Sequence, residues 1–73
     1  MDMYGKRIRE LRIESGFTQA ELALKLKVTQ ITVSKYEREA LDLNTGTLIA
    51  LTRIFHVSSD YILGIEDEIG AKT

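Results

Sequence analysis

Two short helical patterns in succession, joined by only three residues, constrain the fold of this chain more than any other feature. The first, TQAELALKLK, opens with Thr18 and has Glu21 three residues later, a capping box in which each side chain satisfies a backbone N–H of the other residue. It predicts a helix over 19–26. The second, TQITVSKYE, has Thr29 as its N-cap and predicts a helix over 30–38. Two helices joined so closely match the helix-turn-helix pattern.

Residue propensity and periodicity disagree over the second of these helices. Five of the seven residues from Val28 to Ser34 are β-branched, which is typical of a strand. A strand, however, would leave neither face cleanly apolar. In a helix, Val33 and Tyr36 share an inward face, and the opposite face groups four outward residues. These are Ile31, Ser34, Lys35 and Arg38. The periodicity therefore favours a helix.

The segment before the capping box predicts a first helix over 3–15. Asp2 is the expected N-cap, Ile8 and Leu11 lie at helical spacing, and Gly16 is the expected stop. The chain has 73 residues and no cysteine, so one small core without disulfides or a thiolate metal site is expected. The absence of proline and the scarcity of aromatic residues also favour a helical domain.

Two more helices follow the pair. Asn44 or Thr45 can cap a fourth helix with an apolar stripe, and Ser58 can cap a short fifth helix that ends at Gly64. The sequence thus predicts an all-α domain of five helices. The connections are only a few residues long, so neighbouring helices must pack directly against each other.

Charge is distributed unevenly along the chain. Residues 1–35 carry seven Lys or Arg against four Asp or Glu, whereas residues 36–73 carry three against seven. Any basic face therefore belongs to the first half, although the net charge is only −1. The alternative is that these charges only solvate helix surfaces.

The sequence argues against an enzyme, a cofactor and a membrane protein. One histidine, His56, without any cysteine gives neither a nucleophile–base pair nor a metal site, so neither catalysis nor a metal is expected. No apolar run approaches the roughly 20 residues that span a bilayer, and no signal peptide is evident. A soluble cytoplasmic protein is expected.

Three blocks in order resemble the Cro and phage-repressor family of helix-turn-helix proteins, also called the xenobiotic-response-element family. They are IRELRIESGFTQAELA, KVTQITVSKYE and LIALTRIFHVSSDYILG. The resemblance covers about residues 5–64 and implies a compact, lambda-repressor-like domain whose third helix enters the major groove of DNA. The family usually has glycine where this chain has Lys27. It often shows Asn-Gly and a later proline where this chain has EREALDLN, so this link could extend the third helix.

The resemblance also implies which residues contact DNA. Gln30 matches a base-reading position, and its amide can pair with adenine, while an outward Ile31 suggests contact with a thymine methyl group. Gln19 at the start of the second helix matches a phosphate clamp. The expected DNA-binding residues are Gln19, Thr29, Gln30, Ile31, Ser34, Lys35 and Arg38. Alternatively, Ile31 is an exposed apolar residue without a DNA contact, and Arg38 is a solvated surface charge.

A salt bridge is implied as well. Arg12 in the first helix and Glu37 at the end of the third match positions that some family members pair. Such a pair, if partly buried, would fix the angle of the recognition helix more than it would add stability.

The C-terminal residues predict a homodimer. One recognition helix reads few base pairs, and relatives pair two of them about one DNA turn, roughly 34 Å, apart. We expect a helix-turn-helix domain at 1–64 and a tail at 65–73 that contributes to a dimer interface through Ile62, Ile65 and Ile69. Alternatively, Ile65 and Ile69 fold back on their own domain or stay disordered.

The predicted function is that of a sequence-specific transcriptional regulator, a repressor by analogy with the family, which binds a double-stranded DNA operator. The alternative is a protein-interaction module of the same fold, an antitoxin or anti-repressor partner with weak or lost DNA binding. The acidic total and the outward Ile13 and Leu24 support that alternative, which brings in a protein antagonist as partner. The chain fits either a complete regulator or the N-terminal domain of a longer one.

Overall fold

The computed structural model describes residues 3–65, and within that range it contains five helices and no strand. The helices are α1 Tyr4–Glu14, α2 Gln19–Leu26, α3 Gln30–Glu37, α4 Thr45–Phe55 and α5 Ser59–Leu63. The predicted fold class and helix order are confirmed. Across residues 3–65 no helix is both long and apolar enough to cross a membrane.

The N-termini of α2 to α5 are each closed by a local side chain. In the predicted capping box, Thr18 Oγ1 accepts from Glu21 N at 3.0 Å and Glu21 Oε1 accepts from Thr18 N at 2.8 Å. The other three helices are capped by Thr29, Asn44 and Ser58. Helix α1 differs, because its N-cap is Met3, whose side chain makes no capping hydrogen bond. The expectation that Asp2 is the N-cap of α1 is therefore wrong.

The C-terminal ends of all five helices carry a residue with left-handed backbone. Glycine fills this position after α1 and α5, but the other three are Lys27 at φ 60°, Glu39 at φ 60° and His56 at φ 56°. Left-handed backbone costs a residue with a Cβ atom about 1 kcal/mol. The turn at Glu39 stops α3 at Glu37, so the expectation that the link extends the third helix is wrong.

The core takes one or two side chains from each helix. Its buried members are Ile8, Leu11, Leu22, Ala23, Val33, Tyr36, Leu51 and Ile62. Helix α3 packs against both α1 and α2, α4 packs on α2, and α5 packs on α1 and α4. The small Ala23 lies in α2, which α3 crosses. Since only Val33 and Tyr36 of α3 are buried, the rest of that helix stays outside the core, as its periodicity predicted.

The start of α1 is also attached to the segment that follows α3. The Tyr4 hydroxyl donates to the Leu41 carbonyl oxygen at 3.0 Å. Burial, and then the nearby charges of Asp42 and Glu39, raise the pKa of the Tyr4 hydroxyl above its ordinary value of 10.0. The hydroxyl is thus held in the protonated form that donates this hydrogen bond.

Candidate nucleic-acid interface

The outer face of α3 carries most of the residues expected to contact DNA. Gln30, Ile31 and Lys35 are exposed, and Ile31 keeps 67% of its surface accessible. Ile31 and Lys35 lie four residues apart, so they share one side of the helix. An amide, an alkyl group and an ammonium group are therefore presented together. This combination supplies a hydrogen-bonding group, an apolar contact and a positive charge.

Ser34 and Arg38, the C-cap of α3, lie four residues apart and so share one side of the helix. Arg38 Nε donates to Ser34 Oγ at 3.2 Å, which holds the exposed guanidinium group along the helix. Because the serine oxygen is the acceptor, the serine hydroxyl proton stays available for another acceptor. The two residues thus form a pair of donors at the C-terminal end of α3.

Thr29 is the N-cap of α3, as the sequence predicted. Its Oγ1 accepts from Thr32 N at 3.2 Å and lies 2.9 Å from Thr32 Oγ1. These bonds cap α3 and fix its first turn, which is where Gln30 lies. DNA contact by Thr29 itself stays a prediction.

The predicted salt bridge between Arg12 and Glu37 is formed. Arg12 Nε donates to Glu37 Oε2 at 2.6 Å and Arg12 Nη2 donates to Glu37 Oε1 at 3.1 Å, so the contact is bidentate. The side chains of Arg12 and Glu37 are only 13% and 4% exposed. Arg12 Nη1 also donates to the Phe17 carbonyl oxygen at 3.0 Å. One guanidinium group thus joins α1, the turn before α2 and the last residue of α3.

Gln19 belongs to the same network, which the sequence did not predict. Its amide Nε2 donates to Glu37 Oε1 at 3.1 Å. An amide nitrogen has two protons, so one N–H of Gln19 is still available, next to the N-terminus of α2 where backbone N–H groups favour an anion. Gln19 and Glu37 lie 18 residues apart in two different helices, so no sequence pattern indicated this contact.

The three residues predicted to form a dimer interface differ in whether the structure describes them and in how exposed they are. Ile62 is fully buried in the core of its own domain, so the prediction that it contributes to a dimer interface is wrong. Its position in α5, three residues after Ser59, turns it towards α1 and α4. Ile65 is 61% exposed and is free to contact a partner. Ile69 lies outside the described residues.

No metal site competes with this interpretation in the part of the chain that the structure describes. Over residues 3–65, no three His, Asp or Glu side chains come close enough to hold a metal ion. His56 lies at the left-handed end of α4, which is the helix-end position that the sequence suggested.

The fold and the exposed face of α3 define a helix-turn-helix domain of the lambda-repressor type. The profile of the helix-turn-helix family matches residues 8–62. The chain belongs to this family, in its Cro and phage-repressor branch. It is a family of DNA-binding transcription regulators rather than of enzymes.

Curated relatives include two Bacillus subtilis proteins. The HTH-type transcriptional regulator ImmR is 44% identical over 68 residues, which make up 93% of this chain and 53% of ImmR. The uncharacterized HTH-type transcriptional regulator YobD is 36% identical, over 90% of this chain and 59% of YobD. The chain therefore spans little more than half the length of these relatives.

Solved structures of similar fold include complexes with DNA and with protein. The P22 c2 repressor bound to the synthetic operator 9T is 31% identical, with a TM-score of 0.83 over 89% of this chain and 98% of that chain. SinR, described as the master regulator for biofilm formation, in complex with DNA is 30% identical, with a TM-score of 0.74 over 82% of this chain and 97% of that chain. The SinR/SinI protein complex contributes a match of 29% identity and TM-score 0.76, over 97% of this chain and 67% of that chain.

Proposed function

We propose that this chain is the DNA-binding domain of a transcriptional repressor and that α3 reads an operator from the major groove. The observation that carries the proposal is the exposed face of α3, where Gln30, Ile31 and Lys35 stand outside the core while Val33 and Tyr36 anchor the helix. The similarity to the P22 c2 repressor and to SinR, both solved with DNA, supports it. A cytoplasmic location is part of the same proposal.

Base recognition falls to the first turns of α3. A glutamine amide pairs with adenine N6 and N7, an exposed alkyl group packs against a thymine methyl group, and an ammonium group reaches guanine O6 or N7. Gln30, Ile31 and Lys35 supply these three contacts in this proposal. Ser34, just before Lys35, and Arg38, the C-cap of α3, contact base edges or phosphates in this proposal.

Phosphate contact at the start of α2 falls to Gln19. The hydrogen bond from its amide to Glu37 orients the side chain before DNA arrives, and the remaining N–H and the backbone N–H groups of the first turn of α2 bind one phosphate. Glu37 is a carboxylate close to this site, but Arg12 neutralises its charge. The same network thus holds Gln19 in place and prevents Glu37 from repelling DNA.

We further propose that two chains bind one operator as a symmetric dimer. A single α3 contacts too few base pairs to select an operator, and two such helices about 34 Å apart read two half-sites. Ile65, the first residue of the tail at 65–73 that follows the helix-turn-helix domain at 1–64, is exposed. We assign that region, including Ile69 and without Ile62, to the dimer contact.

The test of DNA binding starts from a selection of bound sequences out of a random duplex pool. Fluorescence anisotropy then compares the selected duplex with a random duplex of the same length at several salt concentrations. A binder shows salt-sensitive affinity for both duplexes, because phosphate contacts release counterions. Absence of salt-sensitive binding to any duplex at low salt would contradict the proposal.

The two glutamines give a matched pair of variants for assigning contacts. Gln30→Ala is expected to cost about 1–3 kcal/mol on the selected duplex and little on random DNA. Gln19→Ala is expected to weaken binding to both duplexes by a similar factor, because phosphate contacts carry no sequence information directly. If both variants gave the same pattern, at least one of these assignments would be wrong.

Contact with thymine methyl groups is tested by replacing thymine with uracil in the selected duplex. Wild-type protein is expected to lose affinity on the uracil duplex, and Ile31→Ala is expected to bind the two duplexes equally. Ile13→Ala is the control, because Ile13 is an isoleucine of similar exposure on α1. An equal loss in Ile31→Ala and wild type would refute the methyl contact.

A protein-interaction module is the second candidate function. Leu24 and Ile13 are 78% and 51% exposed on helices that do not form the DNA-reading face. The SinR/SinI complex among similar structures contains a protein partner, and the net charge of −1 does not favour nucleic acid. This candidate, with a protein antagonist as partner, is favoured if the anisotropy assay shows no DNA binding.

A further inference from the structure

Glu39 closes the C-terminal end of α3. In its left-handed conformation, its backbone N donates to the Tyr36 carbonyl oxygen at 3.1 Å, and the N of Ala40 donates to the Lys35 carbonyl oxygen at 2.8 Å. These two bonds form a Schellman motif, in which the left-handed residue is most often glycine. Glu39 occupies this position despite the backbone cost of its Cβ atom.

The side chain of Glu39 also closes the N-terminal end of a different helix. Glu39 Oε2 accepts from Gly5 N at 3.0 Å. Gly5 is the second residue of α1, and its N–H is one of the groups that an N-cap side chain normally satisfies. Met3 provides no such side chain, and the first turn of α1 contains no acidic residue. Glu39 therefore supplies both the missing acceptor and the negative charge that favours a helix N-terminus.

The two helices touch directly at this point. A Cβ atom on Gly5 would lie 2.5 Å from the Glu37 carbonyl oxygen, 2.9 Å from the Tyr36 carbonyl oxygen and 2.7 Å from Glu39 Cγ. Only glycine fits there, because two of these three neighbours are backbone atoms. Arg12 holds the Glu37 side chain seven residues, or two turns, further along α1.

We propose that Glu39 is a positioning residue that fixes the end of the recognition helix against α1. Its backbone ends α3 and its carboxylate caps α1, so one residue joins the two helix ends. Together with Arg12, it gives α3 a second attachment to α1 and prevents α3 from pivoting about the salt bridge. A glycine at position 39 would relieve the left-handed strain, but it would leave Gly5 N without its acceptor. This explains why the chain has glutamate there despite the strain.

The first experiment measures amide hydrogen exchange of Gly5 by NMR in variants of the 73-residue chain. Glu39→Ala is expected to speed exchange of Gly5 about fivefold, the factor that corresponds to losing a cap of about 1 kcal/mol. Glu39→Gln keeps a side-chain oxygen acceptor and is expected to restore most of the protection. An unchanged Gly5 exchange rate in Glu39→Ala would overturn the capping role.

Thermal unfolding separates the cap from the backbone strain, with His56 as the matched position. His56 has the same left-handed backbone after α4, so His56→Gly is expected to raise Tm by roughly 4 °C relative to wild type. Glu39→Gly relieves the same strain but removes the cap, so no such rise is expected. An equal rise in both glycine variants would show that the carboxylate of Glu39 contributes nothing.

The effect on DNA binding rests on the proposed function and needs a control of equal stability. Asn44→Ala removes the ordinary cap of α4, where Asn44 Oδ1 accepts from Thr47 N at 2.8 Å, without touching α3. At a temperature where both variants are fully folded, Glu39→Ala is expected to bind the selected duplex several-fold more weakly than Asn44→Ala, and Glu39→Gln is expected to recover most of the affinity. Equal affinity of Glu39→Ala and Asn44→Ala would refute the positioning role. If wild-type protein bound no DNA, the proposed function would fail, and Gly5 exchange would still decide whether Glu39 caps α1.

Discussion

Replacing Arg12 with alanine is expected to destabilise this domain strongly, because Arg12 is one partner of a largely buried ion pair. Arg12 donates twice to a Glu37 carboxylate that is only 4% exposed, and it also donates to the Phe17 carbonyl oxygen. Removing one partner of a buried ion pair leaves the other charge without compensation, which costs about 3–5 kcal/mol. The remaining hydrogen bond from Gln19 and the 13% exposure of Arg12 favour the lower end, about 3 kcal/mol.

That loss is large for a chain of 73 residues. At about 0.05–0.15 kcal/mol per residue, the whole domain is expected to be stable by about 4–11 kcal/mol. Since 1 kcal/mol corresponds to about 4–8 °C in a domain of this size, Arg12→Ala is expected to lower Tm by at least about 12 °C. Circular dichroism during urea and thermal unfolding measures both quantities.

Two further variants make this result interpretable. Arg9→Ala removes an exposed arginine from the same helix and is expected to change stability by less than about 0.5 kcal/mol. Arg12→Met combined with Glu37→Met removes both charges and is expected to recover most of the loss, because apolar pairs can replace buried ion pairs. A loss below about 1 kcal/mol in Arg12→Ala, or no recovery in the double variant, would refute the reasoning.

Three other predictions address the turn after α2, the start of α1 and the dimer. Lys27→Gly is expected to raise the free energy of unfolding by about 1 kcal/mol in urea, because it relieves left-handed backbone strain, and an unchanged urea midpoint would contradict this. Because the folded pKa of Tyr4 is raised above its ordinary 10.0, the contribution of Tyr4 to stability is complete below about pH 10 and is lost as pH rises through the folded pKa. In urea titrations, the free energy of unfolding of Tyr4→Phe should therefore fall less at alkaline pH than that of wild type. Sedimentation equilibrium is expected to show a dimer that Ile65→Asp weakens without lowering Tm, and a wild-type monomer at every concentration would refute a solution dimer.

The features that the sequence predicted correctly depend on short stretches of chain. The capping box of Thr18 and Glu21 and the inward pair Val33 and Tyr36 each lie within one or two helical turns, so their spacing determines their geometry. The glycine that the family usually has at the position of Lys27 is consistent with the left-handed backbone found there. Such local rules also located the exposed face of α3.

The features that the sequence did not predict depend on residues that meet only after folding. Gly5 and Glu39 are 34 residues apart, and Gln19 and Glu37 are 18 apart, so no local pattern indicates either contact. The error at Ile62 has a similar origin. An apolar residue in a five-residue helix can be buried in its own core or against a partner chain. Only the packing of α5 on α1 and α4 shows that Ile62 is buried in its own core.

Only a few residues hold α3 in place, and this has a consequence for how such regulators diverge. Val33 and Tyr36 bind the helix to the core, while Thr29 and Glu39 fix where it begins and ends. The side chains of Gln30, Ile31 and Lys35 lie outside the core, and substitutions at exposed sites of this kind usually change stability by less than about 0.5 kcal/mol. Under the proposed function, two copies of this chain can therefore acquire different operators after gene duplication through substitutions of a few side chains on α3, while the rest of the domain stays under the same selection for folding.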